Sequence, residues 1–221
     1  MVKAVFLDFY GTVVHEDGEI IKKIKENIME TGSVDDRNRI GAFWWNEFQT
    51  MCMSAYGEAF ETQRKLEYKS LEKTLNEFKS NADPTKLSKM MFEHWIKPPI
   101  FDESKKFFEI CSVPVYIVSN IDTADILSAL QYHGLKPAGV FTSEDAKSYK
   151  PRKELFQLAL QSTGLNENEV VHIGDSLNSD VKGADALGIN AIWVNRSFRE
   201  IPVDVTAIGN LLEVFDTEYF K

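Results

Sequence analysis

The sequence has 221 residues, 43% apolar and 27% charged, which suits one large domain or a core domain with a smaller insertion. A net charge of −9 disfavours a broad surface for nucleic acid or for an anionic membrane. No apolar run approaches the roughly 20 residues of a membrane span. The two cysteines lack the spacing of a zinc site or a disulfide framework. We expect a soluble, cytoplasmic protein that acts on a small molecule, and its oligomeric state stays open.

The first predicted strand ends at an acidic residue. Residues 2–7 read VKAVFL, a short and mostly apolar run that predicts a strand buried in a parallel sheet. Asp8 follows directly, and Gly11 and Thr12 then give a turn signal. Ligands of open parallel sheets bind just beyond the carboxyl ends of strands, so Asp8 is expected at the mouth of a site. Taken alone, Asp8 is better explained as a helix cap or turn residue, and only the residues downstream change that.

Residues 15–95 are predicted to form a helical domain inserted into the core. Isoleucines at helical spacing predict a helix over 19–30. The rest of the segment has no strand-like run, and its aromatic and leucine residues recur at three- and four-residue steps. We expect its aromatic residues, Trp44 and Trp45 among them, to pack between the helices. The core domain is then formed by residues 1–14 and 96–221.

Beyond residue 96, strand and helix patterns alternate. The predicted strands cover residues 113–118, 138–142, 170–173 and 191–194. The predicted helices cover residues 101–111, 123–133, 153–163, 179–187 and 208–215. Strands separated by helices of this length are typical of parallel sheets. The sequence therefore predicts an α/β fold, a doubly wound parallel sheet with an inserted all-helical domain.

Polar residues follow the ends of several predicted strands: Asp8 after the first, Ser119 and Asn120 after the second, and Asp175 and Asp180 after the fourth. If these strands are neighbours, the three carboxylates converge on one crevice. Two carboxylates about 4 Å apart repel by roughly 4 kcal/mol at an effective dielectric constant near 20. Such a cluster stays ionised only beside a cation. Lys150 is one candidate, and a hard divalent metal such as Mg²⁺ is the other.

Four segments carry a family resemblance. They are residues 8–12 (DFYGT), 118–120 (VSN), 150–151 (KP) and 174–180 (GDSLNSD). In this order they resemble the four motifs of the haloacid dehalogenase superfamily. The resemblance spans essentially the whole chain, with the helical insertion in the place of that superfamily's cap, and it implies a Rossmann-like core.

The resemblance implies that the catalytic residues are Asp8, Ser119, Lys150 and Asp180. Asp8 would be the nucleophile that forms an aspartyl-phosphate or aspartyl-ester, and Ser119 and Lys150 would hold the transferring group. Asp180 would position Lys150 or a metal-bound water. The implied ligands of Mg²⁺ are Asp8, the backbone carbonyl of Tyr10 and Asp175. The expected substrate-binding residues are Thr12 and Asn120.

Tyr10 departs from the phosphatase pattern, which has an aspartate at this position to protonate the leaving oxygen and then activate water. Such a general acid/base typically contributes about 10²–10⁴-fold. With an ordinary pKa of about 10, Tyr10 would be a poor base at neutral pH. Ordinary alkyl monoesters should therefore be poor substrates, unless Tyr10, His15 or a cap residue substitutes. Acyl or aryl phosphates, whose leaving groups need little protonation, fit better.

A second reading is a 2-haloacid dehalogenase, because the DFYGT segment and residues 65–71 of the cap resemble that branch. Two features oppose it. The cap arginine of that branch would fall near Thr62, with Arg64 close by, and Asp175 would repel a 2-haloacid carboxylate. A third reading is a binding protein that keeps the fold and the metal without turnover. We expect a Mg²⁺-dependent phosphatase of a small phosphorylated metabolite, with the other two readings as alternatives.

Overall fold

The computed structural model describes residues 2–221. Its parallel strands are β1 (Ala4–Leu7), β2 (Val115–Ser119), β3 (Gly139–Thr142), β4 (Val170–Gly174), β5 (Asn190–Val194) and β6 (Thr206–Ile208). They form one six-stranded sheet in the order β3-β2-β1-β4-β5-β6. Strand β1 is completely buried, with Val5 and Leu7 in one apolar cluster and Ala4 and Phe6 in another. Burial on both faces explains its uninterrupted apolar sequence.

The neighbours β1 and β4 meet where the strand order reverses. Leu7 at the end of β1 pairs with Ile117 on β2 and Ile173 on β4, so the three carboxyl ends are level. In a doubly wound sheet the ligand crevice lies at this position. The register therefore brings the residues after β1, β2 and β4 to one edge of the sheet.

Helices occupy most of the remaining chain. They are α1 (Gly18–Thr31), α2 (Arg37–Ser54), α3 (Gln63–Glu77), α4 (Pro84–Ile96), α5 (Ser104–Ile110), α6 (Thr123–His133), α7 (Ser143–Ala146), α8 (Glu154–Thr163) and α9 (Gly183–Asp185). No helix within residues 2–221 is both long enough and apolar enough to cross a bilayer. Helices α1 to α4 lie between β1 and β2 in sequence and form the inserted cap. The prediction of a doubly wound α/β sheet with an all-helical cap is confirmed.

The cap helices pack through aromatic and aliphatic side chains. Trp44 of α2, Leu71 of α3 and Trp95 of α4 are buried in the cluster that continues into the sheet. Trp45 differs from the expectation, because 63% of its surface is exposed. Its neighbour Trp44 already faces the other helices, so Trp45 points away from them. The domain boundaries proposed at residues 14/15 and 95/96 stay predictions.

Polar contacts fix the start of α3 to the core. The Asp122 carboxylate accepts hydrogen bonds from the backbone N–H groups of Gln63, at 2.7 Å, and Arg64, at 3.0 Å. The Arg64 guanidinium in turn donates through Nε to Asp125 at 2.8 Å and forms a second bond through Nη2. Since the first turn of a helix has free N–H groups, a core carboxylate caps a cap-domain helix.

Two predicted helices are wrong in part. Residues 208–215 begin as the end of strand β6 and continue as a 3₁₀ turn over Leu211–Asp216. The apolar spacing there fits a helix, but Gly209 and Asn210 interrupt it, and Asn210 caps the 3₁₀ turn through Leu212 N–H. Residues 179–187 form a π-helical turn at Leu177–Lys182 before α9.

Candidate active site

Lys150 lies at the centre of the crevice between β1 and β4. Its Nζ donates to Asp8 Oδ1 at 2.8 Å, to Asp180 Oδ1 at 2.6 Å and to the Val118 carbonyl at 2.8 Å. All three of its protons are therefore used. Burial lowers the pKa of Lys150, but the carboxylates of Asp180 and Asp8 outweigh it and raise the pKa above its ordinary value. The side chain is a permanent cation that fixes both acids.

Asp180 is held by three elements in addition to the lysine. His172 Nε2 lies 2.9 Å from Asp180 Oδ1, and the Ser176 N–H donates to Oδ2 at 3.0 Å. Gly174 permits this approach, because a Cβ there would lie 2.3 Å from Asp180 Cγ. Burial opposes ionisation, but Lys150 and His172 hold the pKa of Asp180 below its ordinary value. Asp180 is thus the ionised anchor of the lysine.

The contact of His172 with Asp180 was not predicted from the sequence. His172 is completely buried on β4, and burial lowers its pKa. The neutral imidazole therefore donates from Nε2 to Asp180. The available signal was its spacing, because His172 and Gly174 are two residues apart and share one face of the strand.

The three aspartates fit a divalent metal. Oxygens of Asp8, Asp175 and Asp180 lie within 4.8 Å of one another. Burial, Asp8 and Asp180 raise the pKa of Asp175 to about 9, and burial also raises the pKa of Asp8 despite Lys150. One ammonium does not neutralise two buried carboxylates and a third that is half-buried, so a second cation is needed to keep them ionised. Hard oxygen donors of this kind suit Mg²⁺.

The loop after β1 closes tightly against Asp175. Gly11 has φ +83°, and a Cβ there would lie 2.4 Å from Asp175 Oδ2. Arg196 holds the same loop by donating to the Gly11 carbonyl at 3.3 Å and to the Thr12 carbonyl at 2.7 Å, and its partner on the other side is Glu103 at 2.7 Å. Nothing in the sequence linked Arg196 to the first motif, which lies far away in the chain.

Ser119, Thr12 and Asn120 lie around the same acids. Ser119 is buried and lines the cleft. Thr12 Oγ1 is 3.5 Å from Asp8 Oδ2. The Asn120 side chain binds the Lys150 backbone at both ends, accepting from N–H at 2.6 Å and donating to the carbonyl at 3.0 Å. Asn120 therefore positions Lys150, and direct contact of Asn120 or Thr12 with substrate stays a prediction.

The Tyr10 side chain faces the cap. Its hydroxyl donates to the Trp95 carbonyl on α4. Burial and the nearby charges of Asp125, Asp17 and Asp8 raise its pKa above the ordinary value. A phenol that is already a donor to a backbone carbonyl, with a raised pKa, does not act as a base at neutral pH. Tyr10 therefore links the loop after β1 to the cap.

A cleft of about 1010 Å³ joins the acids to the cap. The predicted residues Asp8, Tyr10, Ser119, Asn120, Lys150, Asp175 and Asp180 all line it. From the cap, Trp44, Phe48, Glu67, Met91 and Trp95 complete its wall. Glu67 was not singled out in the sequence, where a glutamate on a helix reads as a solvated residue. Arg64 lies elsewhere, paired with Asp125 and stacked on the Phe92 ring at 4.6 Å.

A capped parallel sheet whose strand ends bring three carboxylates and a lysine together is the arrangement of a hydrolase with a parallel α/β core. The family model for haloacid dehalogenase-like hydrolases matches residues 2–188, and the chain belongs to this family. A phosphoserine phosphatase of Thermus thermophilus is 39% identical over 74 residues. That match spans 31% of this chain and only 29% of the relative.

Solved structures share the complete fold. The HAD-hydrolase YfnB from Bacillus subtilis, bound to magnesium, superposes with a TM-score of 0.76 at 20% identity and covers 97% of both chains. The L-2-haloacid dehalogenase from Xanthobacter autotrophicus superposes with a TM-score of 0.74 at 16% identity, again over 97% of both chains. At such identities these similarities establish the fold, cap included, and leave the reaction to the residues of the site.

Proposed function

We propose that the protein is a Mg²⁺-dependent phosphatase that acts on a small phosphorylated metabolite through an aspartyl-phosphate on Asp8. The observation that carries this proposal is the surplus of buried negative charge. Lys150 binds Asp8 and Asp180, and Asp175 stands beside them with a raised pKa and no cation of its own among the described residues. The similarity of one stretch to a phosphoserine phosphatase supports the same class of reaction.

Asp8, Asp175 and the backbone carbonyl of Tyr10 would hold the metal. A bound Mg²⁺ supplies positive charge to the oxygens of the transferring phosphoryl group. Lys150 occupies Asp8 Oδ1 and leaves Oδ2 as the attacking oxygen. Ser119, buried beside the cleft, is placed to donate to the phosphoryl oxygens.

The covalent sequence has two displacements. In the first, Asp8 Oδ2 forms a bond to phosphorus and the bond to the leaving oxygen breaks, so the leaving group departs with the electron pair. In the second, water forms the new bond to phosphorus, and the acyl-phosphate bond breaks with its electron pair on Asp8. The Asp8 carboxylate is restored, and the inorganic phosphate leaves with both protons of the water. Lys150 stays protonated throughout, because Asp180 keeps its charge beside the ammonium while Asp8 is esterified.

The contacts of Tyr10 limit which leaving groups the substrate can have. Its hydroxyl is committed to Trp95 and its pKa is raised, so it supplies no proton to a departing alkoxide. A leaving group that is stable or nearly stable as an anion can depart without receiving a proton. We therefore propose aryl or acyl phosphates as the preferred class.

Dehalogenation of 2-haloacids is the second candidate, and Tyr10 is the observation that favours it. Halide leaves without a proton, so the reaction has no use for a second aspartate. The contacts of Arg64 oppose it, since the guanidinium pairs with Asp125 rather than lining the cleft for a carboxylate. Asp175 opposes it too, because its charge would repel that carboxylate.

Two assays with and without a chelator separate the candidates. Phosphate release from 4-nitrophenyl phosphate and from acetyl phosphate should require Mg²⁺ and should disappear in Asp8→Asn, which is isosteric with the wild type. Halide release from L-2-chloropropionate that survives the chelator would reject the phosphatase and support the dehalogenase. A burst of phosphate equal to the enzyme, without turnover, would identify a binding protein instead.

A further inference from the structure

Glu67 is a buried acid in the cap, and one of its carboxylate oxygens has no hydrogen-bond partner among the described residues. Only 5% of its surface is exposed, and Oε1 is fully buried without a partner among residues 2–221. The Trp44 indole is close enough to lower the pKa of Glu67 slightly, but its Nε1 donates to Ser70 Oγ at 3.2 Å. Leaving a buried acceptor unpaired costs stability, so such a group requires an explanation.

The position of Glu67 supplies that explanation. It lines the same cleft as Asp8 and Lys150, but on the cap side, where the wall is formed by aromatic and apolar groups such as Trp44 and Trp95. The Trp95 indole N–H donates to Asp17 Oδ2 at 3.0 Å, so a second carboxylate faces this region. The Glu67 side chain is therefore part of the cleft wall and does not belong only to a closed core.

The part of the cleft wall that the cap contributes is acidic. Among the described residues of segment 15–95 that line the cleft, four are acidic and none is lysine or arginine. The arginines that line it come from the core and are engaged there, Arg196 with Glu103 and Arg199 above the Trp193 ring at 4.9 Å. Burial and the charge of Asp17 raise the pKa of Glu67 to about 8, and a cation bound beside it would favour the ionised form and lower that pKa again.

We infer that the leaving group of the substrate carries a nitrogen cation on an aromatic or apolar body, and that Glu67 binds this nitrogen. The inference rests on the proposed phosphatase function and specifies its substrate. The phosphoryl group lies at the Asp8 end, the apolar body against the tryptophans, and the amine or amidine N–H groups at the carboxylate of Glu67. An ammonium supplies both the missing donor and the missing positive charge.

The kinetic test uses three phosphate esters that share one scaffold: 4-(aminomethyl)phenyl, 4-methylphenyl and 4-(carboxymethyl)phenyl phosphate. We compare kcat/KM for each ester in wild type, Glu67→Gln and the control Glu72→Gln, whose carboxylate is exposed on the same helix. Differences in leaving-group basicity cancel when one ratio of esters is compared between variants. Glu67→Gln should lower the aminomethyl-to-methyl ratio about 10- to 100-fold, the range of a charge-assisted hydrogen bond. The control should leave it unchanged.

An unchanged ratio in Glu67→Gln would overturn the inference while leaving the phosphatase intact. If none of the three esters is hydrolysed, the proposed phosphatase function is wrong. The inference about Glu67 is then tested separately, by the binding of benzylammonium. Benzylammonium should shift tryptophan indole signals in the NMR spectrum of the wild type and not in that of Glu67→Gln. Equal binding to both proteins, or binding to neither, would overturn the inference. Should Glu67→Gln not fold, preference of the wild type for benzylammonium over phenylacetate supports the inference, and absence of preference overturns it.

Discussion

At the scale of single residues, the site is governed by an imbalance of charge. Lys150 contributes one positive charge, whereas Asp8, Asp175 and Asp180 contribute three negative charges when ionised. Asp180 keeps its charge because Lys150 and His172 both bind it, and Asp175 has no such support and shows a raised pKa. The pKa values of Asp180 and Asp175 differ because their partners differ. Asp175, which no lysine or histidine within residues 2–221 binds, is the candidate metal ligand.

Tyr10 provides the most direct test of the missing acid. Tyr10→Asp places a carboxyl where a general acid/base would stand, and we expect the turnover of an alkyl ester such as ethyl phosphate to rise about 10²–10⁴-fold. The turnover of 4-nitrophenyl phosphate should change far less, because its leaving group needs no proton. The measurement is kcat for both esters at saturating Mg²⁺.

Tyr10→Phe is the matched control for that exchange. It removes only the hydroxyl bonded to Trp95 and should give no gain on the alkyl ester. The interpretation would be wrong if wild type already hydrolysed ethyl phosphate as fast as the aryl ester, or if Tyr10→Phe reproduced the gain.

Glu67 should make stability depend on pH. Its pKa is about 8 in the folded protein against an ordinary value of 4.5. Between these values the folded chain retains a proton that the unfolded chain releases, so raising the pH favours unfolding. We expect the free energy of unfolding to fall by up to about 1.4 kcal/mol per pH unit from about pH 5 to pH 8. Urea unfolding across this range measures it.

Glu67→Gln should flatten that dependence, because an amide does not titrate, and Glu72→Gln should retain it. The difference between these two variants isolates Glu67 from all other titrating groups. Parallel curves for both variants would show that Glu67 ionises in the folded protein as it does in the unfolded chain.

At the scale of elements, the loop after β1 packs directly against Asp175. Gly11→Ala places a methyl group at a positive φ and within 2.4 Å of Asp175 Oδ2. A non-glycine residue there costs about 1–3 kcal/mol, and the carboxylate must move. We expect a lower melting temperature and a smaller stabilisation by Mg²⁺, both measured by calorimetry with and without the metal.

Gly18→Ala is the control, because a Cβ at that position meets nothing within 4 Å. It lies at the start of α1 and should leave the response to Mg²⁺ unchanged. If Mg²⁺ stabilises the two variants equally, the conformation of the loop at Gly11 has no effect on metal binding.

Much of the sheet and of the acidic cluster could be predicted from the sequence, because each rests on local pattern. Buried strands in a parallel sheet are apolar runs, and polar residues after β1, β2 and β4 must meet at one edge. Strand β6 was mistaken for the start of a helix, since three residues are too few to show a period of two. The contacts of Arg196 and Asn120 were missed because they depend on how distant loops meet.

At the scale of the whole molecule, the cap is joined to the core at the start of α3. Asp122 caps that helix from the core, and the Tyr149 hydroxyl donates to the Glu61 carbonyl at 2.8 Å. Together these contacts join the wall that carries Glu67 to the site of Asp8. The cleft is therefore closed by bonds that cross between the two parts, and its size depends on them.

Asp122→Ala should loosen this joint. It removes two hydrogen bonds to α3 and, like the loss of other helix caps, should cost about 0.5–2 kcal/mol of stability. Asp36→Ala removes an equivalent cap of α2, which accepts from Asn38 and Arg39 N–H groups within the cap itself. The two variants should lose similar stability, but only Asp122→Ala should accelerate amide exchange across residues 57–66 and raise KM for an aryl phosphate. If both variants raise KM equally, the capping bond from the core has no special part in closing the cleft, and general loss of stability explains the effect.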